Sequence, residues 1–220
     1  MTTQHILNAI DEWNTQDLIT LDELKVQLRI DPGDVTKDAE LVMVINGVSQ
    51  QMAGMANRVF GYAKVNETFY DVEGIRRLYF SRWPVKFADI ESMTLDGVDC
   101  LTAGTGWVLE EKTGTLYTPP SGGSIWSGDL DVVYSGGYKL PEETPADIKR
   151  ACSVAAREDY YTYIRGTILS GVRMIGHKSA RVMYYPPGQM AGMEKGGAGQ
   201  LSPTWNAVQQ VLNNYIRHWV

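Results

Sequence analysis

The sequence predicts an α+β protein: a helical bundle with an inserted small antiparallel β domain, a long glycine-rich arm and a C-terminal helix. Three observations support this prediction. Apolar residues recur at spacings of three and four before residue 64 and again over residues 141–166, which is typical of amphipathic helices. Between these segments the period is two, in short runs rich in β-branched and aromatic residues. After residue 166 there is little periodicity until a last amphipathic segment.

The composition is that of a globular protein without visible catalytic or metal chemistry. The 220 residues are 44% hydrophobic, which is enough to build a core, and no apolar run approaches the roughly 18 residues that cross a bilayer. The first residues include acids where a signal peptide has basic and then apolar residues. Two cysteines and three scattered histidines lack metal-ligand spacing, and the common catalytic and phosphate-binding motifs are missing. We therefore expect no enzyme activity, no cofactor, no metal and no membrane partner.

The N-terminal helical part, residues 1–64, is predicted to hold three helices. The first rests on four apolar residues at helical spacing: Ile6, Leu7, Ile10 and Trp13. For the second, Thr20 and Glu23 match the capping box, in which each side chain accepts a hydrogen bond from the other residue's backbone N–H. This helix should end before Pro32. Thr36 is the expected cap of the third, whose buried stripe is Leu41, Ile45, Val48, Met52, Met55 and Val59.

The β insert covers residues 65–140. Seven short strands are predicted: Val65–Asp71, Arg77–Phe80, Asp89–Leu95, Val98–Leu101, Trp107–Glu110, Thr115–Thr118 and Asp129–Tyr134. Asp96-Gly97 suits a tight hairpin turn with positive φ, and Thr113-Gly114 marks another turn. We therefore expect antiparallel hairpins that form a small sandwich or meander.

Residues 141–166 are predicted to form the helix that completes the helical core. Thr144 is its expected cap, because Pro145 can occupy the first helical position. Cys152 lies on the apolar face, so we interpret it as a small core residue, and Gly166 is the expected end. Residues 167–201 follow as a flexible, basic and glycine-rich arm.

The C-terminal segment, residues 202–220, is predicted to be an anchor helix that starts at Ser202-Pro203. Its apolar stripe consists of Trp205, Val208, Leu212, Tyr215 and Trp219. Tryptophans dominate many interfaces, and a glycine-rich arm lets an anchor reach another chain. The helix either binds such a partner or packs on its own core; residues 18–165 are expected to fold without it.

Charge is distributed unevenly along the chain. Residues 1–40 contain nine acids and three bases, whereas residues 144–220 contain nine bases and four acids, in a chain whose net charge is −6. Either the charged residues form solvated faces, or the acidic end of one copy contacts the basic end of a neighbouring copy, or the two ends bind different partners. One basic segment has no acid and supplies contacts for phosphates or for an acidic protein surface: Arg165, Arg173, Lys178 and Arg181.

Several short motifs occur in an order that resembles the head-tail connector (adaptor or head completion) proteins of tailed bacteriophages. They span roughly residues 18–165. The motifs are Thr20-Leu-Asp-Glu-Leu-Lys-Val-Gln-Leu-Arg-Ile30, Ala56-Asn-Arg-Val-Phe60, Glu67-Thr-Phe-Tyr70, Ser81-Arg-Trp-Pro-Val85, Val132-Val-Tyr-Ser-Gly-Gly-Tyr138 and Pro145-Ala-Asp-Ile-Lys-Arg-Ala151.

This resemblance implies a structural, non-enzymatic virion protein at the head-tail interface, assembled in the host cytoplasm. Such proteins form a ring, often of twelve copies, below the portal protein. They dock a tail or stopper protein, and genomic DNA passes through the lumen without sequence-specific binding. In that setting the C-terminal stripe would be the portal or partner interface.

A β-rich module that binds carbohydrate or protein, without an assembly role, is the alternative. Its binding platform would consist of exposed aromatic residues: Trp83, Trp107, Trp126, Tyr117, Tyr134 and Tyr138. Strand alternation predicts that many of these are buried. A stable monomer with glycan affinity would favour this reading.

Overall fold

The computed structural model describes residues 5–12, 16–101, 106–119, 126–169, 172–176, 181–184 and 203–216. It confirms a mixed α+β fold with antiparallel sheets. The chain divides into two compact units. Unit 1 comprises Met1–Leu18, Ala53–Pro145 and Ile216–Val220, and unit 2 comprises Ile19–Met52 and Ala146–Tyr215.

Unit 1 contains the two larger sheets. Its strands are β1 (His5–Glu12), β2 (Ala63–Ile75), β3 (Arg77–Tyr79), β4 (Ile90–Leu95), β5 (Val98–Asp99), β6 (Val108–Glu110), β7 (Thr115–Tyr117) and β8 (Trp126–Gly136). One antiparallel sheet has the order β1-β2-β8-β4-β5, and a second has the order β3-β7-β6. Each of the seven strands predicted for residues 65–140 has a counterpart among the described residues, β2 to β8, with β2 beginning slightly earlier, at Ala63. Asp96 and Gly97, both with positive φ, form the predicted turn between β4 and β5.

The apolar core of unit 1 is built from alternate residues of the two sheets. Along β2, for example, Ala63, Val65 and Phe69 are buried, as expected where one face of a sheet is covered, and the buried Val72 follows a shift in the pairing register after Phe69. Phe80 stacks on Tyr134 with ring centroids 4.5 Å apart. The buried cluster extends through β4, β7 and β8: Met93, Leu116, Leu130 and Val132.

The first predicted helix is wrong, because residues 5–12 form strand β1. This strand pairs antiparallel with β2, with Leu7 opposite Glu67 and Ala9 opposite Val65. A short helix is marginal in isolation, whereas pairing with β2 satisfies the backbone groups of both segments. The large apolar side chains of β1 stay exposed to solvent: Ile6, Leu7 and Ile10 are 36–55% exposed.

Two glycines at the end of β8 allow three backbone segments to meet. A Cβ on Gly137, which has φ 103°, would lie 2.5 Å from the carbonyl oxygen of Gly61. A Cβ on Gly136 would lie 2.8 Å from the carbonyl oxygen of Arg82. Tyr138 then exchanges backbone hydrogen bonds with Phe60 and Tyr62. The Ser-Gly-Gly-Tyr motif is therefore a packing requirement of unit 1.

Unit 2 is helical. It contains α1 (Leu21–Leu28), residues 38–52 of α2 (Asp38–Ala56), α3 (Ala146–Leu169) and α4 (Pro203–Leu212). The capping box is confirmed: Glu23 N–H donates to Thr20 Oγ1, and Thr20 N–H donates to Glu23 Oε2. α1 and α4 each pack against α3. None of the helices in the described ranges is both long and apolar enough to span a bilayer.

Two predicted caps are wrong. The Thr36 hydroxyl donates to the carboxylate of Asp34, at 2.7 Å, and so forms part of the turn before α2. The Thr144 hydroxyl is buried and makes no hydrogen bond among the described residues. Short polar side chains can bond to nearby groups outside a helix, and that competition explains the Thr36 result.

Three helix boundaries also differ from the predictions. α2 ends at Ala56, where Asn57 takes a positive φ of 47°, so Val59 lies beyond the helix and is 42% exposed. α3 continues through Gly166 to Leu169, since glycine permits a helix to end but does not require it. α4 ends at Leu212.

The segment predicted as an arm contains two strands, β9 (Val172–Gly176) and β10 (Arg181–Tyr184). They pair antiparallel, with Val182 opposite Ile175. Residues 170–171, 177–180 and 185–201 of the predicted arm lie outside the described residues.

Candidate assembly site

The helix pair α3–α4 contains most of the described part of the predicted C-terminal interface. Val208 and Leu212 of α4 are 2% and 0% exposed, and α4 packs against α3. Trp205 is half-buried, and Trp219 lies outside the described residues. The middle of the apolar stripe is thus used inside unit 2.

A hydrogen bond ties the end of the α4 segment to the start of α3. Tyr215 Oη lies 2.8 and 2.9 Å from the two carboxylate oxygens of Asp147 and donates its proton to them. Asp147 is in the first turn of α3, where a negative charge interacts favourably with the helix dipole. The sequence shows no signal for this contact, because the two residues are far apart along the chain.

A groove of about 770 Å³ runs between α3 and α4. Its walls are mostly apolar, with Ala151 and Val154 from α3 facing Ala207 and Val211 from α4. Arg150 contributes a positive charge to the rim. Val154 is 39% exposed, so the groove presents an open apolar surface of unit 2.

Other contacts hold α1 and α2 in place within unit 2. Cys152 is fully buried, with Sγ 3.9 Å from Ser49 Oγ of α2, so its predicted core role is confirmed. Lys25 is 2% exposed, and its Nζ lies 2.6 Å from Asp38 Oδ1. A buried charge of this kind is tolerated because it is paired.

Glu23 links the cap of α1 to α3. Its Oε1 accepts a hydrogen bond of 2.8 Å from Lys149 Nζ. Burial alone would raise the pKa of Glu23, but the bonds from Lys149 and from the Thr20 N–H outweigh it and lower the pKa. The carboxylate is therefore ionised at neutral pH and connects the two helices.

The structure distributes the predicted basic segment over a helix and the two strands of a hairpin. Arg165 belongs to α3, whereas Arg173 and Arg181 belong to β9 and β10. Lys178 lies outside the described residues. Arg173 and Arg181 are thus brought onto one hairpin, and Arg165 is placed on the preceding helix.

The connector-like motifs of unit 1 meet in a buried polar network. Glu67 is 0% exposed, and its Oε2 accepts hydrogen bonds from Tyr134 Oη at 2.6 Å and from Ser81 N–H at 3.1 Å. Tyr134 Oη also accepts from Arg82 N–H at 3.2 Å. Burial and the negative charge of Glu67 raise the pKa of Tyr134 well above its ordinary value. Three separate motifs therefore act as structural cross-links.

Arg58 forms a second structural cross-link in unit 1, separate from the Glu67 network. Its side chain is 6% exposed, with the guanidinium carbon 3.6 Å from the centroid of the Trp83 ring and 4.6 Å from that of Phe60. Its Nη2 donates to the carbonyl oxygen of Trp83. A flat guanidinium can stack on an aromatic ring while it forms hydrogen bonds in its plane, which a lysine cannot do.

Solved structures with this fold come from gene transfer agent particles. A chain in the neck of the empty gene transfer agent particle, computed with C6 symmetry, gives a TM-score of 0.54 at 14% sequence identity, over 98% of this chain and 97% of that one. The chain has the fold of a particle neck protein. A chain from the virion of the native gene transfer agent particle gives the same values. No protein-family model and no curated protein matches the sequence.

This likeness covers nearly the whole chain, so both units belong to the shared fold. It supports the resemblance to head-tail connector proteins that the sequence motifs indicated.

Proposed function

We propose that the chain is a structural virion protein that forms a ring between the portal vertex and the tail. The ring docks a tail or stopper protein and lines the DNA exit channel. The observation that carries this proposal is the chain-length fold match to a neck chain in a particle with C6 symmetry. A ring of twelve copies is compatible with a six-fold arrangement.

The partners in this proposal are further copies of the chain, the portal protein and a tail or stopper protein. Genomic DNA passes through the lumen without sequence-specific contacts. The protein is not an enzyme; it assembles in the host cytoplasm and then resides in the virion. The end-to-end charge difference supports contacts between unlike surfaces of neighbouring copies.

We assign portal docking to those residues of the predicted C-terminal apolar stripe that the α3–α4 pair does not bury. Among the described residues these are Trp205 and Tyr215, both half-buried, and Trp219 is added from the sequence. Arg165, Arg173, Lys178 and Arg181 provide a basic contact segment for an acidic partner or for phosphates. Because tryptophans often contribute 2 kcal/mol or more to an interface, replacing Trp205 and Trp219 by alanine should yield DNA-filled heads that lack tails. The soluble, folded variant should remain unattached.

Particle composition tests the function directly. Purified virions should contain the protein at a fixed, ring-like copy number, and particles made without it should be DNA-filled heads lacking tails. Tyr70→Phe, which changes an exposed residue of unit 1, is the control variant and should be incorporated normally. If the protein is missing from virions, or if particles made without it carry tails, the proposal fails.

The alternative of a β-rich binding module receives little support. Its aromatic platform is largely buried: Tyr134 is 0%, Trp126 5% and Trp83 9% exposed. Trp107 is half-buried and stacks on Phe87. These rings form the packing of unit 1, so no continuous aromatic platform for a sugar exists among them.

A further inference from the structure

The solvent-facing side of α2 carries almost no charge. From Leu41 to Asn57 the sequence has no charged residue, although the outer face of a helix is normally polar and charged. The buried side of this helix is complete, with Leu41, Ile45 and Met52 at 0–2% exposure. The exposed residues of α2 within unit 2 include one large apolar residue at 69% exposure, Met43.

Gly47 lies one turn beyond Met43 on the same exposed face, and Gln50 follows at helical spacing. A Cβ on Gly47 would meet nothing within 4 Å, so packing inside the chain does not require a glycine there. Glycine is a poor helix former, and its one advantage at such a position is that another element can approach the backbone closely. Glu40, three residues before Met43, adds one negative charge at the N-terminal end of this face.

The groove between α3 and α4 has the opposite character. It is concave and lined mainly by apolar side chains, and one end carries Arg150, one turn before Val154. The Asp147 carboxylate also lies at this end, where it accepts the hydrogen bond from Tyr215 Oη. Glu40 on the α2 face can pair with the Arg150 guanidinium, since the Asp147 carboxylate beside it is already bonded to Tyr215, while the uncharged residues that follow Glu40 fit the apolar part of the groove. Both surfaces belong to unit 2 and are present on every copy.

We infer that the α2 face of one copy packs into the α3–α4 groove of a neighbouring copy, with Glu40 opposite Arg150 and Met43 against Val154. This inference rests on the proposed ring for its biological setting. Because the two surfaces differ, the contact is heterologous, and repeated use of such a contact closes a ring when the rotation between copies allows it.

A charge exchange tests the contact between copies. Glu40→Arg and Arg150→Glu should each weaken self-association of the full-length protein about threefold to tenfold per interface, as measured by sedimentation velocity. An equimolar mixture of the two variants should associate like the wild type, because alternating copies restore an opposite-charge pair at every interface. Rescue by mixing cannot arise from a contact within one chain. Glu73→Arg and Arg76→Glu, which change exposed residues of unit 1 in the same way, are the matched controls and should not rescue one another.

Gly47→Leu tests the close approach independently of charge. The variant should keep or raise its melting temperature, since the position is open and leucine favours helix, yet its self-association should fall at least about tenfold. Thr162→Leu places the same side chain on an exposed helical position beyond the groove and should associate normally.

The outcomes separate this inference from the proposed function. If the wild type self-associates and neither Gly47→Leu nor the charge variants weaken it, or if mixing gives no rescue, the inferred contact is wrong while the ring stands. If the wild type never self-associates, the contact is also wrong, and particle composition alone then decides the function.

Discussion

The substitution Leu212→Ala asks whether α4 belongs to its own unit. Leu212 is 0% exposed and Val208, one turn earlier on the same side, is 2% exposed. Truncating a fully buried leucine removes its transfer free energy and leaves a cavity, at a cost of about 2–5 kcal/mol. We place Leu212→Ala in the lower half of this range, because the residue ends a helix and the adjacent turn can relax into part of the cavity.

Urea unfolding followed by helical circular dichroism measures this cost as a lower midpoint with an unchanged m-value. Trp205→Ala is the comparison on the same helix. Because Trp205 is half-buried, its substitution should cost less than Leu212→Ala despite the larger side chain removed. A loss below about 0.5 kcal/mol for Leu212→Ala, which is typical of exposed sites, would refute the burial argument. Val208 and Leu212 would then be available to a partner.

Three further predictions concern the buried network, the α1 cap and the charge distribution. Tyr134→Phe should lower the free energy of unfolding by about 1–3 kcal/mol, because it removes a hydrogen bond to the buried Glu67 carboxylate and the acceptor for Arg82 N–H. Tyr70→Phe, at an exposed site, should lower it by less than about 0.5 kcal/mol. Equal effects of the two substitutions would contradict the network. Because the folded state lowers the pKa of Glu23 below the ordinary 4.5, this group stabilises the fold above that pH and loses its contribution as pH falls through the lowered value. Glu23→Gln should therefore be less stable than the wild type at pH 7, by under about 1 kcal/mol because the Glu23–Lys149 pair is partly solvated. The difference in stability should shrink below pH 4.5. A difference that stays constant from pH 7 to pH 3 would exclude this linkage. Self-association should weaken as salt rises, because contacts between the acidic and basic ends are screened beyond about 8–10 Å at physiological ionic strength, and sedimentation that is constant across a salt series would leave apolar contacts as the organising force.

The strands of residues 65–140 could be predicted because their signals are local. Alternation sets the buried face, and residues that accept positive φ mark the turns, as Asp96 and Gly97 show. The capping box at Thr20 and Glu23 is equally local. Strand β1 could not be identified in this way, because eight residues with apolar positions at 6, 7 and 10 fit either period, and pairing with β2 decides between them.

The candidate site was predicted only in part, since its determinants are distant in sequence. The stripe of Val208 and Leu212 correctly indicated a helix, but no local pattern says which neighbour buries it. Glu67 shares the buried face of β2 with Val65 and Phe69, and its carboxylate is accommodated there because Tyr134 and Ser81 donate hydrogen bonds to it. The connector-like motifs included Glu67 but did not indicate its hydrogen-bond partners.

The geometry of α4 also determines how its role can be tested. We expected residues 18–165 to fold without the C-terminal helix, but Val208 and Leu212 are part of the buried core of unit 2. A truncation before α4 would remove this packing, together with the Ala207 and Val211 wall of the groove. If the truncated protein failed to attach to the portal, the cause could equally be the lost core packing, the lost groove wall or the lost portal contacts. Single substitutions avoid this, because Leu212→Ala reports on the core, Gly47→Leu on the neighbouring copy, and Trp205→Ala on the portal.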